Sequence, residues 1–364
     1  MILESISQKA GEWQAVHIFY SSDSKPLLTE CVAPLVRDLR DRGLLARYFF
    51  INYWLEGPHV RLRLKPARPE LTDEVRRSTE EAIEAFLKRR PALYEMDAES
   101  MGEFYDEMFR LEYSEEERIA RYGESGKMPF RLNNSYHYFA YEPEYRKYGG
   151  EEGVALAEWH FEHSSDLVLE LVETTNVHLR TVMLGLATQL MMIMSATFLR
   201  EQDEIAAFMD DYHHFWHDWF KLGNEQRDAQ YESNLRESLP DLRRRFGEIH
   251  QAVTSAELNR LTTFGRAWAQ HCADLRAKVV EYAESGKLLF PVRDVSGRRQ
   301  FHGRGVVGYE PITDPEVALR ILLSPYMHMT NNRLGASLVD ESYLSYMLCR
   351  ATGRDYVPVV GQSA

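Results

Sequence analysis

Cysteine is scarce in this chain of 364 residues, and its placement excludes more than its number does. Cys31, Cys272 and Cys349 lie far apart, with no Cys-x-x-Cys spacing. That pattern gives neither a disulfide framework nor a cysteine metal knuckle, and it reads as buried free thiols in a reducing compartment. Positive charge is also short: 43 Lys and Arg against 56 Asp and Glu leave a formal net charge of −13. A general nucleic-acid binder needs a basic footprint to neutralise phosphate, so direct nucleic-acid binding is not expected. Long apolar runs are missing, since no window approaches eighteen unbroken apolar residues, and no membrane span is expected. Residues 1–11 carry neither the basic start nor the apolar block of a signal peptide. Neither a glycine-rich loop ending in Lys-Ser/Thr nor a nucleophile elbow occurs. With 44% hydrophobic residues, the expected class is a soluble, cytoplasmic, globular protein.

What the chain does have is a loud stretch at residues 48–65. Tyr48-Phe49-Phe50-Ile51-Asn52-Tyr53-Trp54 is aromatic and β-branched, as suits a half-buried strand. Gly57-Pro58 breaks it, and a second extended segment follows. There Val60, Leu62 and Leu64 alternate strictly with His59, Arg61, Arg63 and Lys65. Strand side chains alternate between faces, so one face is apolar and the other presents a basic row. Such a face can be plain solvated surface. In so acidic a chain it also reads as an anion seat, because arginines at i and i+2 each offer a planar fork to a carboxylate or phosphate.

Around this stretch, residues 13–20 read as a strand, 26–42 as a helix stopped by Gly43, and 70–90 and 95–111 as charged amphipathic helices. Residues 114–134 are polar and turn-rich and read as a long loop. Residues 135–142 are extended, and 141–150 form a turn around Pro143 and the Gly149-Gly150 pair. Helical patterns follow at 154–173, 177–198, 205–222, 233–248 and 258–284. The stretch 286–308 is irregular and basic, 314–323 opens a closing helical region, and 331–350 is the last helix. The expected fold class is α+β: an N-terminal mixed or antiparallel sheet with a large helical portion. It is read as one compact unit over 1–364, sheet-rich in 1–150 and helical in 151–364.

Three further features carry chemistry. His213 and His217 stand four apart, as a metal pair on a helix would, but His214 occupies the position where a zinc peptidase has Glu, and no third ligand is evident. Aromatic packing is the plain reading, and no metal or cofactor is called for. Gly303-Arg304-Gly305-Val306-Val307-Gly308 spells a dinucleotide fingerprint, but it follows an arginine-rich loop instead of a strand. His328 precedes Asn331, Asn332 and Arg333. With Asn331 as helix cap, His328 would lie just before a helix N-terminus, whose partial positive charge keeps an imidazole neutral and suited to general-base work. A lone histidine is as readily structural, so its weight depends on its company.

Taken together, these residues resemble the C-terminal glutamate-elimination domain of class I lanthipeptide dehydratases, a domain that also occurs as stand-alone proteins in thiopeptide-type bacteriocin biosynthesis. The resembling pieces are Phe49-Phe50-Ile51-Asn52-Tyr53 with Gly57-Pro58-His59-Val60-Arg61-Leu62-Arg63, then Tyr141-Glu142-Pro143-Glu144 with Lys147-Tyr148-Gly149-Gly150, then His328-Met329 with Asn332-Arg333. They stand in the family's order across nearly the whole chain. The resemblance implies a lyase acting on a ribosomal leader-core precursor peptide. It implies His328 as base, Arg61, Arg63 and Lys147 as cations, and His59, Arg146, Asn52, Tyr53 and Arg333 as further substrate-binding positions. In the family pattern Arg stands where this chain has Asn52, and again where it has Lys147, although Arg146 is adjacent. A lysine keeps the charge and loses the bidentate fork.

The elimination reading has glutamate leaving glutamylated Ser or Thr to give a dehydroamino acid. The two departures point instead to the family's pyridine-synthase branch, a formal aza-[4+2] cycloaddition of two dehydroalanines with leader elimination. With no glutamylation domain in the chain, separate glutamylating or dehydratase partner enzymes are implied, and a homodimer is compatible with either reading. A non-catalytic scaffold that takes the leader as an added strand, and a metallohydrolase on His213 and His217, are the readings from other classes.

Overall fold

A computed structural model describes residues 12–94, 105–106, 108–109, 113–124, 126–219, 224–293 and 308–353. The chain forms two compact units, Met1–His178 with Lys287–Pro311 and Leu179–Gly286 with Ile312–Ala364. The class is α+β, as expected.

The first unit is built on an antiparallel sheet of β1 (Gln14–Phe19), β2 (Leu45–Tyr53), β3 (His59–Pro66) and β4 (Ser135–Phe139), in the order β2-β3-β1-β4. Alternation fixes its register. Val60, Leu62 and Leu64 stand opposite Ile18, Val16 and Gln14 on β1, and opposite Asn52, Phe50 and Tyr48 on β2. This apolar face is buried, and α2 (Ala33–Asp41) and α3 (Thr72–Arg89) pack against β2 and β3. Each large aliphatic side chain removed from water there contributes roughly 1.5–3 kcal/mol, and a slip of one residue would put the charged row inside instead. Ahead of α2 runs a short α1 (Ser24–Leu27) and one π turn (Leu28–Val32).

The polar stretch read as a loop contains a helix, α4 (Glu115–Tyr122). Ser114 and Glu117 form a reciprocal capping box at its start, a Ser-x-x-Glu signal that outweighs the surrounding turn residues. After β4 a single helical turn, α5 (Tyr145–Tyr148), meets α6 (Gly150–Thr174) at Gly149 and Gly150, with φ of +88° and +83°. Glycine suits that junction twice over: the φ values are left-handed, and a Cβ on Gly149 would meet the Phe290 ring at 3.0 Å. Helix α6 then seals the edge strand β2. The Phe50 N–H donates to Ser165 Oγ at 3.3 Å, and Tyr48 donates to Asp166 at 2.6 Å. A small hairpin of β5 (Leu289–Pro291) and β6 (Tyr309–Pro311) returns to this unit, where the Leu289 N–H donates to the Gly149 carbonyl.

The second unit is helical. Its elements are α7 (Arg180–Leu199), α8 (Gln202–Trp219), α9 (Asn224–Thr254), α10 (Thr263–Glu284), α11 (Pro315–Leu334) and α12 (Leu338–Ala351). By length and mean hydropathy of 1.8, α7 could cross a bilayer, but 61% of its most apolar window is buried and α8, α9, α10, α11 and α12 all pack on it. Thr181, Thr188, Gln189, Ser195 and Thr197 interrupt that helix, so it contains no unbroken apolar run of eighteen.

The end of the chain differs from expectation. Residues 331–350 are not one helix capped by Asn331, because Asn331 lies inside α11. Asp314 caps α11 and Pro315 fits its first turn. Buried Leu322, Leu323, Tyr326 and Met327 carry the helix through Pro325 despite the lost hydrogen bond, and Gly335 closes it at φ +89°. Ser337 and Asp340 then form the capping box of α12.

The 303–307 fingerprint lies outside the described residues, and so does the 95–111 helix except for 105–106 and 108–109.

Candidate functional site

Each unit carries one polar constellation. In the first, the basic row shares its sheet face with His17 opposite Arg61, and with Phe19 and Tyr53 opposite His59. On β4, His137 stands opposite His17, and Phe139 opposite Ala15. The row is not an open set of charges, as alternation alone suggested. His59 is buried and occupied: its Nδ1–H donates to the Gly57 carbonyl at 2.8 Å, and its Nε2 accepts from Arg61 Nε at 3.2 Å. Burial first, then the neighbouring Arg61, pushes its pKa down to about 3, so His59 is a neutral support for Arg61. Arg61 in turn lies 3.4 Å over the Tyr53 ring, whose hydroxyl meets that of Tyr113 at 2.7 Å. One guanidinium is thereby held by a ring beneath it and an imidazole beside it.

Arg63 is the unusual member. It is 5% exposed, and its Nε and Nη1 are buried without a hydrogen-bond partner. It faces the Tyr141 ring at 5.7 Å and the weak field of Glu142, and no carboxylate pairs with it among the described residues. Burial, then Arg61, pushes its pKa down to about 9. A buried cation without an anion costs several kcal/mol, so the fold keeps it against its own stability. His17 stacks between His59 at 4.9 Å and Phe139 at 4.2 Å, and its Nε2 is likewise buried and unpartnered. Burial, and then Arg63, holds His17 far below the ordinary histidine range. Arg63 and His17 are thus two buried polar groups left open beside Arg61, and such groups call for a partner.

Asn52 faces the opposite side of the sheet, at the register of Val60, because strand alternation separates it from Tyr53. Lys147 and Arg146 lie in α5, and Lys147 Nζ pairs with Glu144 at 3.5 Å.

In the second unit, His328 sits two turns before the end of α11, so it does not precede a helix capped by Asn331 as the sequence suggested. Its company is a carboxylate. His328 Nδ1 lies 2.8 Å from Glu341 Oε1, and Glu341 on α12 is 0% exposed. The other carboxylate oxygen accepts from Tyr212 and, at 3.3 Å, from Asn331 Nδ2. Burial, then Glu341, raises the Tyr212 phenol well above its ordinary value, so it keeps its proton and donates. Trp216 packs on the imidazole with ring centroids 4.9 Å apart.

Arg333 is buried and turns back to its own helix, with Nη1 donating to the Met329 carbonyl at 2.7 Å. His213 Nδ1 meets the Ser342 carbonyl at 2.9 Å, and burial lowers its pKa to about 4. The His213 and His217 rings are 5.1 Å apart, and among the described residues no group of three metal-ligating side chains gathers.

Sequence reading passed over His17, Tyr212 and Glu341. Helical phase held a signal for the last: Glu341 shares its face with buried Leu344, Ser345 and Leu348, a place where an acid needs a donor. The partners that meet it come from α8 and α11, and no local pattern shows them.

Residues 13–352 match the family of lantibiotic biosynthesis dehydratase C-terminal domains, and the chain belongs to that family. Among solved structures it is similar to the pyridine synthase TbtD from thiomuracin biosynthesis, with a TM-score of 0.68 at 16% identity over 93% of this chain and 97% of that one. It is similar also to TsrL, with a TM-score of 0.61 at 16% identity over 93% and 94%. At such identities the fold is what is shared. The tRNA-dependent lantibiotic dehydratase MibB from Microbispora sp. 107891 aligns at a TM-score of 0.43 and 17% identity, over 96% of this chain and 28% of that one. No curated protein matches the sequence.

Proposed function

We propose that the protein is a lyase that modifies a ribosomal precursor peptide, expelling glutamate from glutamylated Ser or Thr to leave a dehydroamino acid. The observation that carries this reading is Arg63, a buried guanidinium with unpartnered N–H groups beside the braced Arg61. Elimination needs such a seat. The α-proton moves to a base, its bonding pair becomes the Cα=Cβ bond, and the Cβ–O pair leaves on the glutamate carboxylate. In this reading Arg61 and Arg63 take the glutamyl carboxylates and His328 is the base. A separate glutamylating enzyme supplies the ester.

The second reading is pyridine formation from two dehydroalanines with loss of the leader. What favours it is the thinning of the cationic set: Asn52 faces away from the row and Lys147 is paired with Glu144.

The test is incubation with glutamylated and with fully dehydrated precursor, followed by mass spectrometry. Loss of glutamate from the first supports elimination. Leader release with a new ultraviolet-absorbing ring from the second supports cyclisation and overturns the first reading. No change in either substrate would leave a peptide-binding scaffold.

A further inference from the structure

Among the described residues of the second unit, Glu341 is the most thoroughly enclosed carboxylate, and nothing in the reaction as drawn above uses it. Its side chain is 0% exposed, yet among the described residues its carboxylate meets three hydrogen-bonding groups: His328 Nδ1, the Tyr212 hydroxyl and Asn331 Nδ2. An ionised carboxylate accepts only, and three donors on two oxygens match that inventory. Burying such a charge is costly unless it is fully bonded, so the network defines one arrangement sharply. Tyr212 comes from α8, Asn331 and His328 from α11, and Glu341 from α12, so three helices converge on one group. The next titratable neighbour on α8, His213, is turned to the Ser342 carbonyl.

An imidazole that donates from Nδ1 has its lone pair on Nε2. The free ring has no such obligation and exchanges freely between tautomers. The His328 side chain is 21% exposed and makes no other hydrogen bond among the described residues, while Trp216 limits the tilt of the ring. We propose that Glu341 is the positioning residue for His328: it fixes the Nδ1–H tautomer and the ring orientation, and so presents Nε2 as the proton acceptor. Tyr212 and Asn331 act one step further back, holding the second carboxylate oxygen so that the first stays aimed at His328. The role in catalysis rests on the elimination reading, whereas the tautomer does not.

The test therefore has two arms. Nitrogen-15 NMR of the histidine side chains reads the tautomer of His328 in the full chain without substrate. The wild type and Glu341→Gln should both show Nδ1–H, because the amide carbonyl still accepts. Glu341→Ala should lose that preference. In the second arm, glutamate release from glutamylated precursor should show kcat reduced roughly 10²-fold or more in Glu341→Ala, and less in Glu341→Gln, with KM unchanged in both. Thermal melts identify any variant that fails to fold, and Glu341→Gln, nearly isosteric, keeps the comparison available. A wild-type His328 in the Nε2–H form, or one whose tautomer ignores Glu341→Ala, overturns the proposal. So does a variant that changes KM and leaves kcat intact. Nδ1–H in the wild type with no glutamate release from any precursor would sink the elimination reading and leave the positioning by Glu341 standing.

Discussion

Replacing Arg63 with methionine should make the protein more stable and less active. Methionine is about as long, apolar and flexible enough to fill the space left by the guanidinium stem. Arg63 is 5% exposed with two unpartnered nitrogens, and its pKa is pushed down to about 9. Set against the ordinary 12.5, that displacement corresponds to at most about 5 kcal/mol, at 1.36 kcal/mol per tenfold. The sign is that of a base whose charged form is disfavoured by folding. The penalty is complete at neutral pH and is relieved only as pH climbs through 9 toward the unfolded value. Against it stand the contact with Tyr141, worth about 1 kcal/mol, and the stem packing that methionine retains. A net gain of about 2 kcal/mol follows, or roughly 4–8 °C in Tm for a unit of this size. Differential scanning calorimetry at pH 7 measures it, and glutamate release measured in parallel should drop by about 10²-fold or more. Adding glutamate should raise the Tm of the wild type and leave that of Arg63→Met unchanged. A variant that melts below the wild type would show that Arg63 has an internal partner, and the anion seat would lose its main support.

Under the elimination reading, removing His328 or Arg61 should act on turnover and leave the fold intact. His328→Ala and Arg61→Ala should each reduce glutamate release by about 10²-fold or more with an unchanged far-ultraviolet spectrum, and full turnover in either would remove its assigned role. Acid should weaken the second unit through His213, whose folded pKa of about 4 lies below the unfolded value of 6.5. The unfolded chain binds the proton first as pH falls through 6.5, so by pH 5 this group should cost about 2 kcal/mol. Urea midpoints at pH 7 and 5 should converge in His213→Gln; an identical drop in variant and wild type would exonerate this residue. Gly153→Ala places a Cβ against the Tyr148 carbonyl at the α5–α6 junction. It should cost about 3 kcal/mol or more in chemical denaturation, and a variant as stable as the wild type would mean that the junction relaxes freely.

Much of this was readable from residues in order. The alternation of Val60, Leu62 and Leu64 with His59, Arg61 and Arg63 located β3 and its two faces, and the structure pairs it with β2. Helices with strong periodicity, such as α3 and α6, fell within a few residues of their expected bounds. What was missed lies where one local signal overruled another. Ser114 and Glu117 start a helix amid turn residues, and Asn331 reads as a cap although tertiary packing carries α11 through it. The candidate site was half legible for a related reason. A row on one strand follows from its own spacing, but the occupation of His59 by Gly57 and Arg61 requires the hairpin turn to fold back. The carboxylate behind His328 requires three helices in register. Spacing along the chain carries no trace of either.

The order of the chain through the two units bears on when the protein becomes competent. Gly149 and Leu289, whose backbones bond in the first unit, are separated in sequence by helices α6 to α10. A ribosome adding about 5–20 residues per second exposes the sheet long before that last hairpin emerges. Glu341 comes later still, on α12. A nascent chain thus completes the strand row of Arg61 and Arg63 well before Glu341 emerges to meet His328. Under the elimination reading, substrate that met an unfinished chain would find Arg61 and Arg63 and no fixed base.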